Sequence, residues 1–338
     1  MSNFQQALRV FDSKPWVAHL YVTEQCNLDC HYCNEYDNSI PHPAAADLKK
    51  WMDHIRALGV ARIGFQGGEP LKHPEIVELV RYAKSIGFDP VSMSTNGFLL
   101  TRQLVAEFEK AGLDKLQISV DRMTPIVSTR KSMKSILPKL DWFKDSKIKL
   151  QVSGVLFNET LDEIGQVIDT CLDRGIPVHA RVVHDDLVHN RILRDPKASE
   201  PLLRFIEKQE QLKRNGEKIH TSWNLFAYEK RMLRQEPIEW TCIAGYKYFF
   251  VSSRGKFWPC SQVRTERDIL EITREDLLSY NRKKSCQAKC GVYCTAEASL
   301  AVNHPLQYAS REVAGMLASR VTRMQGGRAG RMRDLATE

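Results

Sequence analysis

Short apolar strand patterns alternate with amphipathic helix patterns between residues 16 and 186 of this 338-residue chain. Such alternation predicts repeated βα units and hence a parallel sheet whose connections are helices. Several predicted helices stop at a glycine, as helix C-termini commonly do. The predicted strands cover residues 17–22, 61–65, 90–93, 115–120, 149–156 and 177–184, and the predicted helices cover 46–58, 75–86, 102–111, 132–143 and 161–174.

Period-2 alternation within the strands separates an apolar face, which packs on the helices, from a polar face that points inward. A closed eight-stranded barrel normally fills its interior with branched apolar side chains. Polar inward faces on only six strands therefore predict an α/β fold, an incomplete (βα)6 TIM-like barrel that encloses a ligand cavity. The side chains predicted to point inward include those of His19, Tyr21, Gln117, Ser119, Asp121, Gln151, Ser153, His179 and Arg181.

The pattern changes after residue 186. Residues 198–235 indicate charged helices, and the later segment YKYFFVSSRGKFWPC has two apolar runs around Ser-Arg-Gly, which predicts a hairpin. We therefore divide the chain into a lead-in (1–16), the barrel (17–190), a helical connection (191–239), a small second domain (240–300) and a C-terminal helix with a basic tail (301–338).

Composition and charge restrict the function classes. No apolar run approaches the roughly 18 to 20 residues that span a bilayer, and the first residues lack the apolar region of a secretory signal, so we expect a cytoplasmic protein without membrane contact. The net charge of +8 is typical of proteins that bind nucleic acid, because Lys and Arg neutralise phosphates. We discount nucleic-acid binding because the excess of basic residues lies in the C-terminal tail. A solvated surface or the docking of an acidic partner explains basic residues there. The arginines there are Arg311, Arg320, Arg323, Arg328, Arg331 and Arg333.

Eight of the nine cysteines fall into two groups. A cytosolic protein keeps its thiols reduced, so closely spaced cysteines are better interpreted as metal ligands than as disulfides. Only Cys171 stands apart, inside an apolar helix pattern, where we expect a small buried hydrophobe. The first group is Cys26, Cys30 and Cys33, and the second is Cys242, Cys260, Cys286, Cys290 and Cys294.

The first group directly follows the first predicted strand, at the rim where the loops of parallel barrels place their active sites. Three thiolates in one short loop can hold three irons of a [4Fe-4S] cube and leave the fourth iron without a protein ligand. The alternative is a zinc site with His31 as the fourth ligand, but structural zinc sites normally draw on two separate knuckles. The spacing favours the iron-sulfur cluster.

The C-x3-C-x2-C spacing, with Tyr32 before the last cysteine, resembles the hallmark of the radical S-adenosylmethionine (SAM) superfamily. The GGEP segment at residues 67–70 resembles the GGE motif of that superfamily, and the STNG segment at residues 94–97 resembles its ribose-contacting motif. The three motifs occur in the correct order, each at the C-terminal end of a predicted strand, and together the resemblance covers about residues 17 to 186.

The resemblance implies that a [4Fe-4S] cluster on the first cysteine group binds SAM through its open iron. It implies reductive cleavage of SAM to a 5′-deoxyadenosyl radical, which abstracts hydrogen from a substrate, with an electron donor of the flavodoxin or ferredoxin type. The implied SAM contacts are Tyr32 near the adenine, the Gly67 and Gly68 backbone and Glu69 at the methionine moiety, Ser94 and Asn96 at the ribose, and Ser119 and Arg130 at the carboxylate.

The second cysteine group resembles the SPASM/Twitch extension, in which cysteines that flank a β-hairpin join later ones to hold an auxiliary Fe-S cluster. Cys242 and Cys260 bracket the predicted hairpin, and three cysteines follow. Five cysteines exceed the four sites of one [4Fe-4S] cluster. The resemblance favours Cys290 and Cys294, which leaves Cys286 as a ligand or a spare. A structural zinc site with four thiolates is the alternative.

Three functions fit these features. The first is a radical SAM oxidoreductase that acts on a polar small molecule, such as a sugar or cyclitol, and that uses its auxiliary cluster in a two-electron oxidation. The second is a peptide-modifying maturase, which the short lead-in disfavours because it leaves no room for an N-terminal peptide-recognition domain. The third is a non-catalytic Fe-S or zinc module that binds RNA or a protein. The residues predicted to contact a substrate are His19, Tyr21, Gln151, His179 and Arg181.

Overall fold

The computed structural model describes residues 10–127, 129–194, 199–286, 290–324 and 331–332. Its central sheet contains the six predicted strands, each parallel to its neighbour, in the order β6-β5-β4-β3-β2-β1. These strands do not close into a ring among the described residues, which confirms the predicted incomplete TIM-like barrel. They are β1 (Val17–Thr23), β2 (Arg62–Gly67), β3 (Val91–Thr95), β4 (Lys115–Ser119), β5 (Lys149–Leu156) and β6 (Val178–Val182).

Helices connect consecutive strands and cover one face of the sheet. The ends of the third helix illustrate why they form: the Thr101 hydroxyl accepts from the Leu104 amide (3.1 Å) at its start, and Gly112 adopts φ +92° at its end. The connecting helices are α1 (Ala45–Ala57), α2 (Ile76–Ser85), α3 (Arg102–Ala111), α4 (Met133–Leu140) and α5 (Leu161–Asp173).

The predicted alternation of strand faces holds in β4. Leu116 and Ile118 are fully buried in the main apolar core against the helices, whereas Gln117 and Ser119 line a central cavity. The strand therefore separates a packed layer from a hollow interior, because successive side chains point to opposite faces.

The predicted hairpin does not stand apart from the barrel. Strand β7 (Tyr248–Val251) pairs in parallel with the free edge of β1, and β8 (Phe257–Trp258) pairs antiparallel with β7. A second apolar cluster forms where Phe250 and Trp258 pack on Tyr21. The hairpin thereby extends the barrel sheet to eight strands.

This packing corrects the prediction for Tyr21. The side chain is fully buried beneath the hairpin and its hydroxyl donates to Glu35 (2.6 Å). Tyr21 lies on the inward face of β1, as the alternation predicts, but Phe250 and Trp258 fill the space in front of it. It is therefore a packing residue and does not line the cavity.

The remaining helices pack around the hairpin and the open side of the barrel. They are α6 (Ser199–Arg214), α7 (Trp223–Leu233), α8 (Arg274–Ser279), α9 (Tyr293–Asn303) and α10 (Pro305–Met324). The main apolar core includes residues from Ala18 to Met332, so the predicted second domain shares a core with the barrel. The predicted boundaries between the segments stay predictions. None of the described helices has the length and hydropathy needed to cross a membrane.

Shortening a core side chain of β4 tests this packing. We expect Leu116→Ala to lower the free energy of unfolding by about 2–5 kcal/mol, because the side chain is fully buried and leaves a cavity. Leu306→Ala in α10 is the control, with an expected change within about 0.5 kcal/mol because Leu306 is 81% exposed. Anaerobic urea denaturation measures both, and equal losses would contradict the assigned core.

Candidate active site

The first cysteine loop leaves β1 where β2 approaches it closely. A Cβ on Gly67 (φ +131°) would lie 2.0 Å from the Thr23 carbonyl oxygen, and one on Gly68 would lie 2.4 Å from the Gln25 carbonyl oxygen. The Gly68 amide donates to Thr23 (2.9 Å), and the Glu69 amide donates to Gln25 (2.8 Å). Backbone contact at the base of the loop therefore requires glycine at both positions.

Arg191, in the loop after β6, holds the backbone between two of the cysteines. Its guanidinium donates to the carbonyl oxygens of His31 (2.7 Å) and Cys33 (3.1 Å), and its Nε donates to Asp186 (2.7 Å). Burial opposes the charge of Asp186, but hydrogen bonds from Asn34 and Arg191 outweigh it and hold the pKa of that carboxyl below its usual range. The pair stays ionised and fixes the position of the loop.

The segment after Cys260 also contacts the end of this loop. The Asn34 side-chain amide donates to the Gln262 side-chain oxygen (3.3 Å), and Arg264 donates to the Asn34 carbonyl oxygen (2.8 Å). Arg264 in turn lies over the Trp258 ring of β8, 4.4 Å from its centroid. Hydrogen bonds thus connect the segment that follows Cys260 to the loop of the first cysteine group.

One cavity of about 520 Å³ lies inside the barrel, and all three cysteines of the first group line it together with Lys131. Lys131 donates to the Tyr32 hydroxyl (3.0 Å), which donates to Asp121 (2.5 Å). Burial disfavours the charge of Lys131, but the negative groups around it, led by Tyr32 and Asp121, raise the pKa of Lys131 well above its usual value. A permanent cation therefore lies beside the thiols.

The thiols themselves are protonated in a metal-free site. Burial raises the pKa of Cys33 to about 12, with a further rise from Glu35. Metal binding would supply the deprotonation, since iron binds the thiolate. Among the residues that the structure describes, no three His, Cys, Asp or Glu side chains could hold a single metal ion. An iron-sulfur cube places each thiolate on a different iron, so its ligands do not share one ion.

The cavity continues between β1, β4, β5 and β6, where polar side chains line it. His19, Gln151 and His179 are among them, as predicted. Burial lowers the pKa of His19 to about 4 and lowers the pKa of His179 well below its usual value. Both imidazoles are therefore neutral near pH 7.

Arg181 lies in an adjoining pocket of about 440 Å³. It pairs with the fully buried carboxylate of Glu229 (2.8 Å) and lies over the Tyr293 ring, 5.8 Å from its centroid. Its charge is therefore already neutralised within the protein. The structure brings this predicted substrate residue near the cavity, but as one member of an ion pair.

Four cysteines of the second group lie close enough to influence one another. Burial raises the pKa of Cys290 well above its usual value, and the charges of Cys260, Cys242 and Cys286 raise it further. Cys242 and Cys260 are buried on either side of the hairpin. These four thiols therefore lie near one another, as the prediction of an auxiliary cluster requires.

Cys294 is placed differently from the prediction. It lies in the first turn of α9, is exposed, and lines the same central cavity as the first cysteine group. Burial by the surrounding protein raises the pKa of Cys294, and a hydrogen bond with the Tyr248 hydroxyl partly offsets the rise. Cys294 also influences Cys260. Of the five cysteines of the second group, Cys294 lines the central cavity, so the choice between Cys286 and Cys294 as auxiliary ligand stays a prediction.

Comparison with known proteins identifies the barrel. Residues 20–171 match the family model described as the Radical SAM superfamily. This segment is a radical SAM domain. Radical SAM domains use a [4Fe-4S] cluster and SAM, so the two predicted cofactors are confirmed.

Two curated relatives show how far the similarity extends. PqqA peptide cyclase of Bradyrhizobium diazoefficiens is 25% identical over 259 residues, which are 73% of this chain and 66% of that protein. GTP 3′,8-cyclase of Chlorobaculum tepidum is 45% identical over 105 residues, 30% of this chain and 32% of that protein. The chain thus spans a third to just under two thirds of the length of these relatives.

Solved structures with the same fold include radical SAM proteins with a bound ligand. SuiB of Streptococcus suis bound to the precursor peptide SuiA has a TM-score of 0.61 at 16% identity, over 84% of this chain and 71% of that chain. Native anSMEcpe with bound AdoMet has a TM-score of 0.63 at 16% identity, over 91% of this chain and 100% of that chain. At these identities the likeness establishes the fold alone.

Most predicted SAM contacts of the radical SAM domain line the central cavity. The exceptions are Tyr32, Glu69 and Arg130. Asn96 is oriented by Asn27, whose side-chain oxygen accepts from it (2.8 Å). The predicted contacts that line the cavity are Gly67, Gly68, Ser94, Asn96 and Ser119.

Glu69 has a different role from the one predicted. It is 1% exposed, and its carboxylate accepts from the Thr95 hydroxyl (2.6 Å) and the amides of Asn96 (2.7 Å) and Leu71 (3.0 Å). The carboxylate is therefore enclosed and occupied by protein donors. It holds the backbone of Asn96, in the segment that the sequence predicts to contact the ribose, and it is not among the residues that line the cavity.

Arg130 also departs from the prediction. Its side chain is 54% exposed and lies 4.0 Å from Asp29 on the surface, while the next residue, Lys131, lines the cavity. Neighbouring residues of an extended segment point to opposite sides, so the sequence alone could not assign the cation. The sequence analysis did not predict Lys131 as a cavity residue. The one indication of it was that two basic residues, Arg130 and Lys131, are adjacent.

Lys131 is the residue that we expect to meet the SAM carboxylate. Lys131→Ala should weaken SAM binding by roughly 10- to 100-fold, because one charge-assisted hydrogen bond contributes about 1.5–3 kcal/mol. Arg130→Ala is the matched control and should change SAM affinity less than about threefold, since its exposed ion pair contributes little. Anaerobic equilibrium binding of SAM to reconstituted protein measures both, and a larger loss in the Arg130 variant would restore the original assignment.

Proposed function

We propose that this protein is a radical SAM enzyme that abstracts a hydrogen atom from a peptide substrate bound in the polar half of the central cavity. The single observation that carries the proposal is the continuity of this cavity: the first cysteine group, the SAM-contacting segments and the polar side chains of β4 to β6 all line it. The cluster and SAM supply the 5′-deoxyadenosyl radical when bound. The residues of the chain bind and orient the substrate and enclose it in the cavity.

Unpaired polar atoms in the cavity support substrate binding. Within the described part of the chain, His179 Nδ1 and the Tyr293 hydroxyl are buried without a hydrogen-bond partner. Both residues line the cavity. Buried polar groups normally have partners, so a bound substrate is the natural source of the missing hydrogen bonds.

Support for a peptide substrate comes from the relatives. PqqA peptide cyclase matches most of this chain, and SuiB, which shares the fold, binds the precursor peptide SuiA. These proteins favour the peptide-modifying function over the small-molecule function that the sequence suggested first.

A polar small molecule is the second candidate. Its support is the similarity to GTP 3′,8-cyclase over 105 residues and the neutral, hydrogen-bonding lining formed by Gln117, Gln151 and His179. Such a lining suits hydroxyl and amide groups, whichever class of molecule carries them.

We further propose an auxiliary [4Fe-4S] cluster on Cys242, Cys260, Cys286 and Cys290. Four protein ligands would leave no iron open to substrate, so this cluster would accept or relay an electron, as in a two-electron oxidation. Lys284 supports the site because it donates to the Cys242 carbonyl oxygen (2.6 Å); burial lowers the pKa of Lys284, and the charge of Cys242 opposes this shift.

Release of 5′-deoxyadenosine tests the central proposal. Anaerobically reconstituted protein with SAM and dithionite should release it, and Cys30→Ala should release none because the cluster loses a ligand. Cys171→Ala, a buried cysteine in α5 far from both groups in sequence, should retain the activity. Liquid chromatography with mass spectrometry measures the product. Well-loaded protein that releases none, with or without candidate peptides, would favour the non-catalytic module.

Iron content tests the auxiliary ligand set. Wild-type protein should bind about eight iron ions per chain, the content of two four-iron cubes. Cys286→Ala should lower this to about four, whereas Cys294→Ala should keep about eight. The reverse result would make Cys294 the ligand, and about eight iron ions in both variants would show that neither is required.

A further inference from the structure

The central cavity runs the full length of β4. Lys115, Gln117 and Ser119 are alternate residues of that strand, and all three line the cavity. At roughly 3.3 Å per residue, the backbone of Lys115 lies about 13 Å from that of Ser119. A substrate that reaches the SAM-contacting end at Ser119 therefore has space for an extended group that ends near Lys115.

Lys115 is an exposed residue whose side chain lines the cavity with a positive charge. In the described part of the chain, no hydrogen bond or ion pair engages its ammonium group. The carboxylate of Asp114 already accepts from Lys84 (2.9 Å) and from a backbone amide (2.7 Å). Partial burial lowers the pKa of Lys115, the nearby charges of Arg62 and Lys149 lower it further, and the carboxylate of Asp114 opposes this shift. Lys149 is paired with Lys115 in the β4–β5 register, so cations gather at this end of the barrel.

The other side chains at this end include neutral hydrogen-bonding groups and one carboxylate. Ser92 is paired with Lys115 in the sheet and lines the cavity. His220 also lines the cavity, and burial lowers its pKa, so it is uncharged near pH 7. The nearby carboxylate of Glu297 accepts from the Tyr308 hydroxyl (3.2 Å). Lys115, Arg62 and Lys149 outnumber the carboxylates of Asp114 and Glu297 here, and Asp114 is already paired with Lys84, so this end of the cavity is suited to an anion.

We infer that Lys115 binds an anionic group of the substrate, a carboxylate or a phosphate, at the end of the cavity remote from hydrogen abstraction. The inference rests on the proposed function, because it assigns the same cavity to the substrate, and it adds a substrate class. An extended peptide of roughly four residues would cover the about 13 Å between Ser119 and Lys115 and place its C-terminal carboxylate at Lys115. A phosphorylated small molecule of similar length would use the same ammonium group.

Trace acylation of lysines tests this site directly. Anaerobically reconstituted protein with SAM bound is treated with acetic anhydride in the presence of inorganic phosphate or acetate, and mass spectrometry gives the acylation rate of each lysine. At a probe concentration of about twice the dissociation constant, acylation of Lys115 should slow about threefold, because only the unoccupied fraction reacts. Lys147, an exposed lysine that does not line the cavity, is the control and should react at an unchanged rate.

The outcomes separate the possible ligands. Slowing by phosphate alone assigns a phosphate, slowing by acetate alone assigns a carboxylate, and slowing by both supports a general anion site. No slowing by either probe, or equal slowing at Lys147, overturns the inference. As a second measurement, the probe that slows acylation should raise the Tm of wild type and of Lys147→Gln but not of Lys115→Gln. Formation of 5′-deoxyadenosine is recorded separately, so its absence counts against the proposed function and not against the anion site.

Discussion

The hydrogen bonds from Arg191 to the carbonyl oxygens of the first cysteine loop are the contacts on which the site depends. One guanidinium supplies two donors in a rigid fork, which fixes the backbone on both sides of Tyr32. The fully buried Asp186 balances its charge. Loss of Arg191 would leave the buried carboxylate of Asp186 without its main cationic partner. The arrangement of the cluster ligands is therefore stabilised from the loop after β6.

The same loop is held from the other side by the hairpin segment. Asn34 contacts Gln262 and Arg264, which follow Cys260 by two and four residues. Side chains just after Cys260 therefore hold the residue next to Cys33. Because the hairpin is part of the barrel sheet, both cysteine groups are attached to one core, and their relative position is set by strand pairing and not by a linker.

Neutral and charged side chains occupy different parts of the cavity. Neutral imidazoles, amides and hydroxyls line most of the cavity, and the charged side chains are either paired, as Arg181 is with Glu229, or placed at the two ends. Lys131 lies beside the thiols and Lys115 lies at the opposite end of β4. Desolvation penalises charge in the middle of the barrel, so the two cations mark the positions where anionic ligand groups are expected.

The sequence by itself determined the βα order, the strand faces and the first cysteine group, because hydrophobic period and residue spacing are local properties of the chain. The segments at residues 67–70 and 94–97 were likewise correctly placed at strand ends. Only the tertiary structure decided that the hairpin covers Tyr21, that Lys131 and not Arg130 enters the cavity, and that Cys294 faces it. Each of these depends on which distant segments pack together, and no local pattern carries that information.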